Sequence, residues 1–208
     1  MIKVKVCGMT DHLNLISVVG KGPDYIGYIF YPPSPRWVGR DPDTSLFRDV
    51  PGTVKRVGVF VDESPDVVIR TAKSAGLHVV QLHGNESPQI CGQIASEGLS
   101  VIKAFGLGMV ADNEKFSQYS NSADYFLFDT RSLQKGGSGR KFDWGILDNY
   151  TVDKPFFLSG GIGIEDAEAI RDLGNRGLFA VDINSRFEMK PGIKDAELVG
   201  LFIDRIKN

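Results

Sequence analysis

Two side chains of this chain stand out as able to move protons: the thiol of Cys7 and the carboxyl of Asp129. Cys7 ends the run Ile2-Lys3-Val4-Lys5-Val6 and precedes Gly8. A thiol has an unperturbed pKa of about 8.5, so only a few per cent is thiolate at pH 7; cationic neighbours enlarge that fraction. The same position also suits a small buried apolar residue, a role cysteine fills well. Asp129 follows Tyr125-Phe126-Leu127-Phe128. It reads either as a turn residue at a strand end or as an acid that keeps its proton when desolvated or set near another anion. Cys91, inside a helical stretch, reads as structural.

Other residues have the chemistry to hold an anionic substrate. Arg36 lies in Tyr31-Pro32-Pro33-Ser34-Pro35-Arg36-Trp37, where three prolines stiffen the loop. Its guanidinium suits a carboxylate or a phosphate, or else stacks on Trp37 at the surface. His83, in Gln81-Leu82-His83-Gly84, is either a ligand contact or a polar strand end. Gly160 and Gly161 after Ser159, and Asn184-Ser185 after Asp182-Ile183, could cradle a phosphate, since glycine lets backbone N–H groups approach an anion. The run Gly136-Gly137-Ser138-Gly139 reads as a lid that excludes water or as a plain flexible connection.

The elements that must carry these groups alternate regularly. Apolar, β-branched runs at 2–7, 24–30, 55–61, 78–82, 100–105, 124–128, 155–159 and 178–182 read as eight strands. Between them lie segments of helical period, about eight in all. Ser64-Pro65 and Ser87-Pro88 mark helix starts, Gly76 and Gly98 helix ends, and Ile193 to Lys207 a last helix. The fold expected is a single (β/α)8 TIM barrel over residues 1–208, with an open doubly wound sheet as the structural alternative. In such a barrel the carboxyl ends of the strands gather at one mouth, where every candidate residue above would fall.

Composition narrows the function. Apolar residues make up 42% and charged residues 24% of the 208, as in ordinary globular domains. With 24 Lys and Arg against 26 Asp and Glu, scattered along the chain, no basic face for nucleic acid is indicated. No apolar run reaches the roughly 18 residues of a membrane span. The opening lacks a signal-peptide layout, and two cysteines make no disulfide framework, so a cytoplasmic setting is expected.

Taken together, Lys5-Val6-Cys7-Gly8, Gly27 to Phe30, Arg56 to Val61, Val80 to Gly84, Phe128-Asp129-Thr130, Gly136 to Gly139 with Phe142-Asp143-Trp144, Leu158 to Gly161 and Ala180 to Ser185 resemble the phosphoribosylanthranilate isomerases, nearly end to end. The resemblance implies an intramolecular oxidoreductase of tryptophan biosynthesis. It would convert N-(5′-phosphoribosyl)anthranilate to 1-(2-carboxyphenylamino)-1-deoxyribulose 5-phosphate by an Amadori rearrangement. It further implies Asp129 as general acid, Cys7 as general base, Arg36 on the anthranilate carboxylate, and the Gly160-Gly161 and Asn184-Ser185 loops on the phosphate. His83 joins the substrate-binding set. No cofactor or metal enters that scheme; the partner is a small phosphosugar, and monomer and homodimer both fit. One departure is Arg186-Phe187 after Ser185, where the family usually has a glycine; an arginine with positive φ there would be strained. Two alternatives are a histidine-pathway aminoaldose isomerase and a non-catalytic phosphosugar-binding barrel. The first would carry aspartate in place of Cys7, and its second phosphate fits poorly with the acidic Asp62-Glu63-Ser64-Pro65 loop.

Overall fold

Eight parallel strands close on themselves in chain order: β1 (Lys3–Cys7), β2 (Tyr25–Ile29), β3 (Lys55–Phe60), β4 (Val79–Leu82), β5 (Ser100–Gly106), β6 (Tyr125–Asp129), β7 (Phe156–Ser159) and β8 (Leu178–Ile183). This is the TIM barrel expected from the sequence, and each strand lies within a residue or two of its expected place. The computed structural model describes residues 1–107, 111–129, 144–173 and 177–208. Closure is made by β1 against β8, with Lys5 opposite Asp182 and Val6 opposite Ile183.

The strands are buried on both faces, which explains their composition. Side chains alternate between the barrel interior and the layer under the helices. Val4 and Val6 join the outer core with Leu15, Val18 and Ile203, while Lys5 and Cys7 take the other face. The interior holds its own cluster of Tyr25, Val57, Val79, Ile102, Leu127, Phe157 and Ala180. At its amino-terminal end, Tyr25 and Phe157 meet edge to face at 5.4 Å, Tyr125 and Phe179 pack at 4.6 Å, and the Lys3 ammonium lies 4.9 Å from the Phe179 ring. These rings form a floor to the barrel.

Outside lie α1 (His12–Val19), α2 (Ser45–Arg48), α3 (Pro65–Ser74), α4 (Pro88–Ala95), α5 (Asn113–Ser117), α6 (Ala167–Asp172) and α7 (Ala196–Lys207). Their ends follow local chemistry. Ser87 accepts from the Ile90 N–H, and Gly76 and Gly98 take φ of +58° and +80°. After β6 the described residues carry a 3-10 turn at Trp144–Asn149 instead of an α-helix.

The last helix starts three residues later than the sequence suggested. Ile193–Lys194 (β10) pair antiparallel with Glu188–Lys190 (β9) about the Pro191-Gly192 turn, where Gly192 has φ +84°. With that backbone committed to a hairpin, the helix begins only after Asp195, whose carboxylate accepts from the Leu198 N–H. Among the described residues no helix is long and apolar enough to cross a membrane.

Candidate active site

The mouth is built from β1 outward. Cys7 is 4% exposed, and its strand neighbour in register is Gly27. A Cβ on Gly27 would lie 2.8 Å from the Cys7 Sγ, so the missing side chain is what gives the sulfur room. Two residues back on the same face, the fully buried Lys5 ammonium bonds Asp182 Oδ2 at 2.9 Å. Burial pushes the Cys7 thiol up from its ordinary value; Lys5 and Lys194 pull the other way without overcoming it. Burial opposes the charge on Lys5, yet Asp182 and Cys7 together raise its pKa. Burial likewise lifts the Asp182 carboxyl, against the pull of Lys5. Burial thus favours the neutral thiol, and the Lys5 ammonium beside it favours the thiolate.

Asp129 ends β6, and its Oδ2 lies 3.3 Å from His83 Nε2. On the far side of that ring, Nδ1 is 2.9 Å from Gln81 Nε2. The backbone bearing His83 is itself held from below. The Lys103 ammonium donates to the carbonyls of Leu82 and Gly84 on either side of His83 and to Glu86 Oε2 at 2.7 Å. Glu86 in turn accepts from the N–H groups of Asp62 and Gly84. Both members of this ion pair are buried, which is tolerable because nearly every polar atom has a partner.

Arg36 grips Glu188 with two parallel bonds, Nε to Oε1 at 2.8 Å and Nη2 to Oε2 at 2.6 Å. The Glu188 carboxylate also accepts from Lys194, whose ammonium bonds Asn184 Oδ1 at 2.6 Å. Burial lifts the Glu188 carboxyl, but Arg36 and Lys194 more than reverse this and hold it below its ordinary value. Gly8, at φ +81°, lets Arg36 and Asn184 come close: a Cβ there would sit 2.8 Å from Arg36 Cδ and 3.1 Å from Asn184 Oδ1. The hairpin that the sequence reading missed is thus what ties the Arg36 loop to the β8 loop.

A cavity of about 90 Å³ opens among Arg36, Asp129, Gly160, Gly161, Asp182, Asn184 and Ser185, with Arg186 at its edge. Gly160 and Gly161 have φ of +100° and +71°. The eight catalytic and binding candidates from the sequence all lie at this end: six line the cavity, His83 touches Asp129, and Cys7 ends β1 beside Arg36 and Lys194. Arg36 does not rest on Trp37 as a surface residue would. Arg186 does not have positive φ; it lies on a 3-10 turn at Ser185–Phe187 and pairs with Glu165 at 2.6 Å. The replaced glycine therefore introduces no left-handed strain. Gly136 to Gly139 fall outside the described residues.

Sequence reasoning overlooked Lys5, Glu86, Gln81 and Glu188 as parts of this end. For Lys5 a signal existed: spacing of two on a strand puts it on the face of Cys7. For Glu86 and Glu188 there was none, because both work through contacts distant in the chain.

A closed eight-stranded β/α barrel with Cys7, Asp129, Arg36 and two glycine-rich or polar loops gathered at its carboxyl-terminal mouth defines the TIM-barrel class, whose sites lie at that end. Comparison narrows the class. The family model for N-(5′-phosphoribosyl)anthranilate isomerase matches residues 4–205. A curated N-(5′-phosphoribosyl)anthranilate isomerase from Parabacteroides distasonis is 43% identical over 204 residues, covering 98% of this chain and 92% of its own. The crystal structure of a phosphoribosylanthranilate isomerase in complex with reduced 1-(o-carboxyphenylamino)-1-deoxyribulose 5-phosphate superposes with a TM-score of 0.80 at 32% identity, covering 100% and 99% of the two chains. The Thermotoga maritima enzyme gives 0.83 at 35% identity over 100% and 99%. This chain belongs to the phosphoribosylanthranilate isomerase family, and is an isomerase of tryptophan biosynthesis.

Proposed function

We propose that this chain, acting as one barrel over residues 1–208 in the cytoplasm, converts N-(5′-phosphoribosyl)anthranilate to 1-(2-carboxyphenylamino)-1-deoxyribulose 5-phosphate, with Asp129 as general acid and Cys7 as general base. The observation that carries the reading is that one barrel end holds both an acid beside His83 that lines the cavity and, at the end of β1, a buried thiol whose neighbours Lys5 and Asp182 lead to that cavity.

Asp129 gives its proton to the ribose ring oxygen; the C1–O bond breaks and an iminium forms between C1 and the anilinic nitrogen. That new cation beside Cys7 favours the thiolate, as Lys5 does already, and the thiol proton passes to solvent before the substrate is deprotonated. Cys7 then removes the proton from C2, whose electron pair neutralises the iminium to give an enolamine. Ketonisation at C2, with protonation at C1 by the Cys7 thiol and loss of the C2 hydroxyl proton, completes the rearrangement, and that released proton restores Asp129. No redox partner is consumed, because C1 is reduced as C2 is oxidised.

Binding follows from the same residues. Glu188 takes Nε and one Nη2 hydrogen of Arg36, which leaves Nη1 and the second Nη2 hydrogen for the anthranilate carboxylate. The N–H groups around Gly160 and Gly161, with Asn184 and Ser185, take the phosphate. The experiment is turnover of substrate generated in situ from anthranilate and phosphoribosyl pyrophosphate. Cys7→Ala and Asp129→Asn, folded by circular dichroism, are expected to lose about 10²- to 10⁴-fold in kcat. Undiminished turnover by either folded variant would overturn its assignment. Analogue binding without turnover by the parent would leave a non-catalytic binder.

A further inference from the structure

We infer that Asp182 is a substrate-binding residue: its Oδ1 accepts a hydrogen bond from the sugar hydroxyl on C2, the carbon that Cys7 deprotonates. The inference rests on the reaction proposed above.

Three observations support it. Asp182 lines the cavity that holds Asp129 and the two glycines. The residue is 6% exposed, and only Oδ2 is used, by Lys5 at 2.9 Å. Oδ1 is buried with no hydrogen-bond partner among the described residues. Buried carboxylate oxygens are almost always paired, so an unpaired one on a residue that lines a cavity asks for a donor from the ligand.

Charge selects the donor. A carboxylate repels the two anionic ends of the substrate, whose phosphate and carboxylate have Gly160-Gly161 and Arg36 to receive them. What remains between those ends is the polyol, whose hydroxyls are donors. Lys5 ties Asp182 to Cys7, because the ammonium interacts with both. The hydroxyl nearest that thiol is the one on the carbon it deprotonates. Lys5 thus fixes the Asp182 carboxylate through Oδ2 and leaves Oδ1 facing its ligand's needs.

The test is a binding cycle with two probes, the reduced product analogue 1-(o-carboxyphenylamino)-1-deoxypentitol 5-phosphate and its counterpart lacking the C2 hydroxyl. Each is titrated into the wild-type protein, Asp182→Asn, and the double variant Lys5→Met/Asp182→Leu. The double variant removes the ion pair together and so avoids a lone buried charge. Loss of the hydroxyl is expected to weaken wild-type binding about 10- to 100-fold, the range of a hydrogen bond to a charged group, the double variant less than threefold, and Asp182→Asn, whose amide oxygen still accepts, by an amount in between. Equal weakening in all three proteins would make Asp182 a structural counter-ion and overturn the inference alone. Failure of the wild-type protein to bind either probe would overturn the proposed function as well.

Discussion

Replacing Gly27 by alanine tests whether the position of the Cys7 sulfur matters to the reaction. The added Cβ would lie 2.8 Å from Sγ and 3.1 Å from the Cys7 Cα, where ordinary contact starts at 3.4 Å, so the thiol must yield by about 0.6 Å. It has little freedom to do so, because Cys7 is 4% exposed and its backbone is paired with β2 in register. Overpacking of this kind typically costs about 1–3 kcal/mol, within the roughly 5–15 kcal/mol stability of a folded domain. The variant is therefore expected to fold. Misplacing a reacting group by 1 Å can cost about 10²-fold, so a shift of this size is expected to lower kcat by roughly 10- to 100-fold. KM should change less than threefold, because Arg36 and the β7 and β8 loops are untouched. Steady-state turnover beside the rate of thiol alkylation would make the measurement, with the alkylation rate reporting the displaced sulfur independently. A folded Gly27→Ala protein with unchanged kcat would refute the claim that Cys7 must sit where the structure puts it.

Two further outcomes are expected. Lys103→Met strips the buried Glu86 carboxylate of its cation, a change that typically costs about 3–5 kcal/mol. In a chain of this size that lowers Tm by roughly 6–20 °C, as calorimetry would show, and the loosened support of His83 should lower kcat as well. Burial raises the Cys91 thiol from 9.0 to about 11, so its contribution to stability is complete below pH 9 and lost as pH rises through 11. Wild-type protein should lose up to about 3 kcal/mol from this source across that window, and Cys91→Val should lose correspondingly less. Parallel urea-midpoint curves for the two proteins would count against the assignment.

The barrel was legible because its strands are short apolar runs with turn residues at each end, a pattern that survives without tertiary information. The site was legible for those residues that lie just beyond a strand, since the fold alone sends all such positions to one mouth. Lys5 shows where the reading stopped. In Ile2-Lys3-Val4-Lys5-Val6 the lysines look like a solvent face, as they would be in an antiparallel sheet. A closed parallel barrel turns that face inward, so Lys5 is fully buried and needs Asp182, which lies 177 residues away. The β9–β10 hairpin was hidden for a related reason: Glu188 to Lys194 has no strand periodicity, and the charged cluster of Glu188, Lys194 and Arg36 holds it in place. Pairings between charges far apart in the chain leave no local pattern to read.

The aromatic floor of Tyr25, Tyr125, Phe157 and Phe179, with the packed interior above it, leaves the carboxyl-terminal mouth as the open end of the barrel. Protons, water and product must all cross the same rim, and an occupied mouth is a stoppered one. On the reaction proposed above, a hydrogen that the buried Cys7 takes from C2 is shielded from solvent while the substrate fills the mouth, and the isotopic history of the substrate should then be carried into the product.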